Sequence, residues 1–564
     1  MSDPQDRREV VVVGGGISGL KSALEAADQG ARVTLVEESP FLGDLLLKEG
    51  RIPPDGFPSL CLSSKLINRV IHHPGIRVMT NSSVSRVSRK EDGIKVSLKR
   101  RPPRVNDQCN ACAECLMVCP IKPYDTFNEG LMLRTAIDFA GPREFGGVYN
   151  IEKETPACQE KCPVHIDIRK YVGLIAGGDY EQAIRVIRDK NPLPAVCGRI
   201  CPHPCESVCN RGRQDEAIAI DALKRFVSDY EIAQREAGKF IPPKPKKDRK
   251  TKVAVVGAGP AGLTVAHDLA LEGFRPTIFE AESVPGGMLH LGIPEYRLPR
   301  DIIMNDVAYI QDLGVEIKYN TPLTKDFTVD DLFKQGYKAI FMGIGAYEGL
   351  KMRVEGEDEF EGFLDCIKFL KRVNLGDKSK PGNKVIVIGG GNSAIDSART
   401  ALRLGCDEVT LLYRRSRKEM PANPWEVDAA AEEGVNIHYL AAPVKILGEK
   451  GRVVGMECTR MRLGKLDASG RRRPIPIEGS GFRVEADLIV PAVSQRPDIS
   501  FLPEDHGFDI SRWNSFEIDT STGATNRPGI YSGGDAVTGP ATVIEAIQAA
   551  HIAARGMKEY LSQR

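Results

Sequence analysis

The sequence predicts an α/β protein made of parallel, doubly wound nucleotide-binding units with a cysteine-rich helical block among them. Three observations carry this. A glycine turn follows a short Val/Ile/Ala strand and opens a helix three times, in VVVVGGGISGL, VAVVGAGPAGL and VIVIGGGNSAI. From Lys252 onward strand and helix signals alternate, the pattern of a parallel sheet with crossover helices. Ten of the 14 cysteines crowd into one stretch between the first and second turns, from Cys109 to Cys209.

In the first turn Gly14, Gly16 and Gly19 form GxGxxG, and Glu37 closes the next strand. Gly257, Gly259 and Gly262 repeat the pattern, followed by Glu280. The first glycine permits the tight turn, the second lets a pyrophosphate approach, and the third lets helix pack on strand. The helix N-terminus offers N–H groups and partial positive charge to the phosphates, and the acid takes ribose hydroxyls. The third turn is a GxGxxA variant, Gly389, Gly391 and Ala394, and its second strand, EVTLLYRRS, ends in Arg414 and Arg415. A guanidinium pair at the ribose edge favours a 2′-phosphate, hence NADP over NAD. The alternative reading is two surface arginines.

An acid-ended turn followed by an arginine-ended one reads as an FAD Rossmann-type domain with an NAD(P)-binding Rossmann-type domain inserted in it. The closing half of the FAD domain must then return near the C-terminus. GIYSGGDA supplies Gly534 and Asp535, with Asp535 suited to the ribityl hydroxyls. The following TVIEAIQAAHIAARGMKEY reads as a long helix whose start near Thr542 faces the flavin pyrimidine, where reduced flavin gathers negative charge. The expected domains are 251–353 with 490–564 for FAD, 354–489 for NAD(P), a helical iron–sulfur region at 106–240, and a partial Rossmann-like module at 1–105. KFIPPKPKKDRKTK reads as an exposed linker.

Cys109, Cys112, Cys115 and Cys119, then Pro120, have the C-x2-C-x2-C-x3-C-P spacing of bacterial ferredoxins. Short gaps wrap the chain around a cubane, and Cys119 can serve a second cluster. Cys158, Cys162, Cys197, Cys201, Cys205 and Cys209 follow. In a long chain without an apolar leader, such spacing points to [4Fe–4S] ligation in a reducing cytoplasm instead of disulfides. Net charge +1 gives no field toward nucleic acid or an anionic membrane. No apolar run reaches the roughly 18 residues of a membrane span.

Residues from about 150 to 564 resemble the glutamate synthase small subunit, the large subunit of NADH-dependent ferredoxin:NADP oxidoreductase and the N-terminal half of dihydropyrimidine dehydrogenase. The matching text is VAVVGAGPAGL, PGGMLHLGIPEYRLPR, VIVIGGGNSAIDSARTALRLG, LLYRRSRKEMPA and GIYSGGDAVTGPATVIEAIQAA. The resemblance implies that Gly286, Gly287, Met288, Leu289, Arg297 and Leu298 lie along FAD. It implies that Asn392, Ser393, Arg414, Arg415 and Arg417 face the NADP. It further implies one cluster on Cys162, Cys201 and Cys205, another involving Cys158 and Cys209, and Cys197 as a buried thiol. Two departures stand out: two family cysteines are absent upstream of Cys158, and Lys224 stands near the place of a Glu or Gln ligand. The nine remaining thiolates serve two cubanes with one over, so two or three clusters are expected.

Residues 1 to about 150 resemble the start of the flavin-type subunit of heterodisulfide reductase, through GGGISGLKSALEAADQGARVTLVEESPFLGD, SLCLSSKLINRVIHHPGIRVMTNSSV and RRPPRVNDQCNACAECLMVCP. Cys61 falls on a family cysteine, whereas Leu42-Gly43-Asp44 replaces the usual Gly-Gly. Only one closing Gly-Asp motif exists in the chain, so this module reads as an incomplete FAD fold that scaffolds a cluster.

Hydride transfer between nicotinamide and flavin needs no side-chain nucleophile, so no catalytic side chain is assigned; His203 and His290 read as packing residues. Cys366, Cys406 and Cys458 are scattered, and no dithiol adjoins the flavin segment. The expected function is an FAD- and [4Fe–4S]-dependent NAD(P)H oxidoreductase subunit in a hetero-oligomer. It exchanges electrons with a partner such as ferredoxin or a bifurcating redox complex. The alternatives are a non-catalytic electron conduit and a glutamate synthase small subunit.

Overall fold

The computed structural model describes residues 8–39, 42–43, 51–52, 57–90, 93–100, 135, 137–138, 150–151, 155–239, 242–243, 248–467 and 470–563. Cys109, Cys112, Cys115 and Cys119 lie outside the described residues, as does the side chain of Cys61. The chain divides into two compact units, Met1–Thr155 and Pro156–Arg564.

In the first unit β1 (Glu9–Val13) leads through the glycine turn into α1 (Ile17–Asp28) and β2 (Arg32–Val36), followed by α2 (Ser59–Ile71) and β3 (Ile76–Met79). The strands form a parallel sheet in the order β1-β2-β3. Leu20, Leu24, Leu35 and Ile67 fill its core. Among the described residues no strand pairs with the other edge of β1, and its Val13 is 65% exposed. A hairpin of β4 (Ser82–Lys90) and β5 (Gly93–Arg100) follows.

The second unit begins with a helical block in which Cys158 and Cys205 lie on short helical turns, Ala157–Lys161 and Pro204–Ser207, and whose longer helices are α3 (Ile168–Ala176), α4 (Tyr180–Arg188), α5 (Pro194–Ile200) and α6 (Ile220–Glu236). Their starts are fixed locally. Asp167 accepts from Lys170 N and Asp179 from Gln182 N, each satisfying an otherwise orphaned donor, and Pro194 opens α5. Next come β6 (Lys252–Val256), α7 (Pro260–Leu271), β7 (Arg275–Phe279), α8 (Arg300–Asp312), β8 (Glu316–Lys318) and β9 (Ile340–Met342). An inserted segment follows, containing α9 (Cys366–Asn374), β10 (Lys384–Ile388), α10 (Asn392–Arg403), β11 (Glu408–Tyr413), α11 (Pro424–Glu432) and β12 (Asn436–Tyr439). It continues through the antiparallel β13 (Ala441–Glu449) and β14 (Arg452–Leu466) to β15 (Leu488–Pro491). The chain then returns as β16 (Ile530–Ser532) and α12 (Val543–Ser562).

Two parallel sheets result. One runs β8-β7-β6-β9-β16, so the returning strand completes the sheet that the insertion interrupted. The other runs β12-β11-β10-β15. Strands such as KVAVV and KVIVI are apolar on successive residues because helices cover both faces. The helical cysteine block shares one core with the five-stranded sheet: Tyr171, Ile184, Ile187 and Leu193 belong to the same cluster as Val253, Leu263 and Ile547.

Candidate nucleotide and cluster sites

A cavity of about 710 Å³ opens at the C-terminal ends of β6 and β10, where ligands of parallel sheets sit. The turn after β6 explains its own glycines. Gly257 has φ +95°, and a Cβ there would lie 2.5 Å from the Gly343 carbonyl oxygen. A Cβ on Gly262 would lie 2.0 Å from the Gly257 oxygen, so α7 can close on the turn only without one. At Gly259 a Cβ would meet nothing within 4 Å, and the residue lines the cavity.

Glu280 ends β7 beside the turn and accepts from the N–H groups of Ala258 (2.7 Å) and Glu282 (2.9 Å). Gly286 donates to Ala258 O at 2.8 Å, which brings Gly287, Met288 and Leu289 against the cavity. Leu298 is fully buried and packs beneath that segment without lining the space. Gly534 does not line it either, but holds Asp535 at its wall. Burial pushes the Asp535 carboxyl up to about 7. Thr542 caps α12 in a reciprocal pair with Glu545, and the open end of that helix faces the cavity.

The far end of the cavity is the start of α10. Asn392 and Ser393 line it; Gly389, Gly391 and Ala394 shape the turn behind, with Ala394 buried. Arg297 lines the cavity and spans to this end, its Nη1 2.7 Å from Asp396 and its Nε 3.0 Å from Glu426. Asp396, Glu426 and the half-buried Tyr347, which lines the cavity, escaped the sequence reading. The acid within GGGNSAID was the available signal for Asp396.

The three arginines of the inserted segment part company. Arg415 is buried, 2.6 Å from Asp467, and donates to the Arg472 carbonyl oxygen at 2.8 Å. Arg417 pairs with Asp428. Arg414 is exposed, has no ion pair among the described residues, and lies within the positive field of Arg415 and Arg471. None of the three lines the cavity. Of the two histidines, His203 stacks on Trp425 at 4.9 Å, and His290 is buried with its Nδ1 unpartnered.

The cysteines fall into two groups. Cys162 acts electrostatically on Cys201 and Cys205, and Cys201 on Cys205, whose thiol burial pushes up to about 12. Cys209 acts on Cys158. Cys197 is buried, and burial raises its thiol pKa. Among the described residues no three His, Cys, Asp or Glu side chains converge on a point as a single ion requires. A cubane, unlike a single ion, takes its thiolates at separate corners. Ile200 and Pro202, the neighbours of Cys201, line the same cavity as Gly259 and Asn392.

A family profile described as pyridine nucleotide-disulphide oxidoreductase matches residues 251–550, more than half of the chain. One described as dihydropyrimidine dehydrogenase domain II, 4Fe-4S cluster, matches residues 151–236, and one described as FAD dependent oxidoreductase matches residues 9–73. The NADPH-Fe(3+) oxidoreductase subunit beta of Geobacter sulfurreducens is 46% identical over 438 residues, 73% of this chain and 65% of that protein. The NADP(+)-dependent formate dehydrogenase subunit beta of Moorella thermoacetica is 44% identical over 430 residues, 72% of this chain and 60% of that protein. The glutamate synthase [NADPH] small chain of Escherichia coli strain K12 is 33% identical over 433 residues, 72% of this chain and 89% of that protein. The chain thus spans less than two thirds of the length of the first two relatives. Glycine turns, shared cavity and thiol groups agree with these matches, and the chain belongs to the pyridine nucleotide-disulphide oxidoreductase family as an FAD- and NAD(P)-dependent enzyme with a 4Fe-4S domain.

Proposed function

We propose that the chain is the NADPH-oxidising subunit of a redox complex, moving electrons from the nucleotide through FAD to iron–sulfur clusters and on to a partner polypeptide. One observation carries this: a single cavity touches the β6 glycine turn, the start of α10 and both neighbours of Cys201. Hydride acceptance and one-electron delivery are the chemistry that bound FAD supplies. The chain's own residues position and insulate. Gly259 and the first N–H groups of α7 suit the FAD pyrophosphate, and Glu280 and Asp535 suit its hydroxyls. The N-terminus of α12 places partial positive charge by the flavin pyrimidine. Asn392 and Ser393, opening α10, suit the second nucleotide. Cys162, Cys201 and Cys205 suit one cluster, with Cys158 and Cys209 contributing to another. The names of the relatives support an acceptor on another polypeptide. Among the described residues no helix is long and apolar enough to cross a membrane.

Anaerobic mixing with NADPH should bleach the flavin absorbance of the purified chain within seconds. Holoprotein that stays yellow with both NADPH and NADH would remove the reading in favour of an electron conduit.

The arginine geometry refines the nucleotide preference. Arg415 is engaged by Asp467, which leaves exposed Arg414, with Arg471 adding charge, for a 2′-phosphate. A hydrogen bond to a charged group contributes about 1.5–3 kcal/mol, and exposure reduces that to about 1 kcal/mol. Arg414→Ala should therefore raise KM for NADPH about fivefold and leave the NADH value unchanged in steady-state kinetics. Equal effects on both nucleotides would place the 2′-phosphate elsewhere.

A further inference from the structure

Lys224, on α6, is buried, with 6% of its surface exposed. A buried ammonium is costly unless anions and hydrogen-bond acceptors face it. The structure gives it one carboxylate, Asp221, at 2.6 Å. α6 packs on α5, the helix that carries Cys197 and leads to Cys201, so closely that a Cβ on Gly198 would lie 2.8 Å from Arg225 Cα, and Cys201, Cys197 and Tyr171 bear on the amine electrostatically. The Tyr171 hydroxyl donates its proton to the Ile220 carbonyl oxygen at 3.1 Å, and as a neutral group it does not balance the charge. One carboxylate, with neutral thiols on the neighbouring helix, is an incomplete environment for a buried cation. It becomes complete when the thiols are deprotonated and ligated, because the anionic sulfur then faces the amine.

The ion pair with Asp221 also constrains what the amine can do. An amine binds iron through its lone pair, which an ammonium held as an ion pair with a carboxylate does not offer. A fixed positive charge beside an iron–sulfur cluster stabilises the reduced, more negative form, and hydrogen bonds to the sulfurs act in the same direction. Cys201 is flanked by two cavity-lining residues, so a cluster held there is placed to receive electrons from the flavin site.

We infer that Lys224 is a tuning residue that raises the reduction potential of the cluster held by Cys162, Cys201 and Cys205, acting as a hydrogen-bonding cation and not as an iron ligand. The inference rests on the cluster reading of these cysteines.

The test is an EPR-monitored redox titration of the anaerobic holoprotein with iron counted per chain. Lys224→Met and Lys224→Leu, neither of which can ligate iron through oxygen, should keep wild-type iron. At a fixed potential their reduced-to-oxidised cluster ratio should fall at least tenfold, a midpoint about 59 mV more negative for one electron. Lys224→Arg, which keeps the charge, should stay within about threefold of wild type. Two results overturn the inference: a neutral variant with full iron and an unmoved midpoint, or loss of cluster iron in both neutral variants, which would make Lys224 part of the cluster's scaffold. Cys162→Ser isolates the underlying reading, because it must lower the iron content. If iron is unchanged in Cys162→Ser, the cluster assignment fails whatever the lysine variants show.

Discussion

Gly259→Val should give a folded protein that has lost its flavin. Gly259 has φ −74° and ψ 178°, extended backbone that a β-branched residue adopts readily. No atom lies within 4 Å of the position of an added Cβ, and the residue lines the cavity. The valine methyls therefore intrude on ligand space without touching the fold. FAD retained per chain should fall at least tenfold, a loss of about 1.4 kcal/mol or more. The stability of the flavin-free protein should stay within about 0.5 kcal/mol of wild type, as for a substitution away from packed features. Gly262→Ala is the contrasting case. Its methyl would lie 2.0 Å from a backbone oxygen, so α7 must move off β6, and folding and flavin should be lost together. A Gly259→Val protein with wild-type FAD content would mean that the turn does not seat the pyrophosphate.

That contrast separates what the sequence makes legible from what it hides. The glycine turns can be read because their spacing is set locally: Gly262 answers the backbone oxygen of Gly257 five residues before it, although Gly257 itself also meets the distant Gly343 oxygen. The interrupted five-stranded sheet was also legible, since an opening half with Gly257 requires a closing half, and GIYSGGDA supplies it as β16. The capped start of α12 at Thr542 follows from the same kind of local chemistry. Less legible were contacts between residues distant in sequence. Nothing in YRRS indicates that Arg415 turns inward to Asp467 while Arg414 stays outside. Nothing near Arg297 indicates that it reaches Asp396 and Glu426 in the inserted segment. The merging of the cysteine helices with the core of the flavin-type sheet has the same origin. It depends on Arg188, Glu231 and Asp306, which lie on three separate helices.

That ion cluster carries the second large expected effect. Arg188 is buried; its Nε donates to Glu231 Oε1 at 2.7 Å, its Nη1 to the Pro192 oxygen at 2.9 Å and its Nη2 to Asp306 Oδ1 at 3.2 Å. Its guanidinium carbon lies 3.7 Å from the centre of the Tyr309 ring. Asp306 also accepts from Val196 N at 3.0 Å, so one carboxylate on α8 holds both α4 and α5. Burial pushes the Asp306 carboxyl up to about 6, and Arg188 is the main opposing influence. Arg188→Met leaves Glu231 and Asp306 buried without their cation, which costs about 3–5 kcal/mol. Hydrogen exchange in α4 and α5 should then accelerate at least about 100-fold, since about 3 kcal/mol of local stability corresponds to that factor. Adding Asp306→Asn should recover part of the loss, because it removes one of the stranded charges while the amide can still accept from Val196. A slowing of cluster reduction by NADPH should accompany the single variant, because Ile200 ends α5, and Ile200 and Pro202 hold Cys201 at the cavity wall. Exchange in α4 and α5 at wild-type rates in Arg188→Met would mean that apolar packing alone docks the cysteine helices on the sheet.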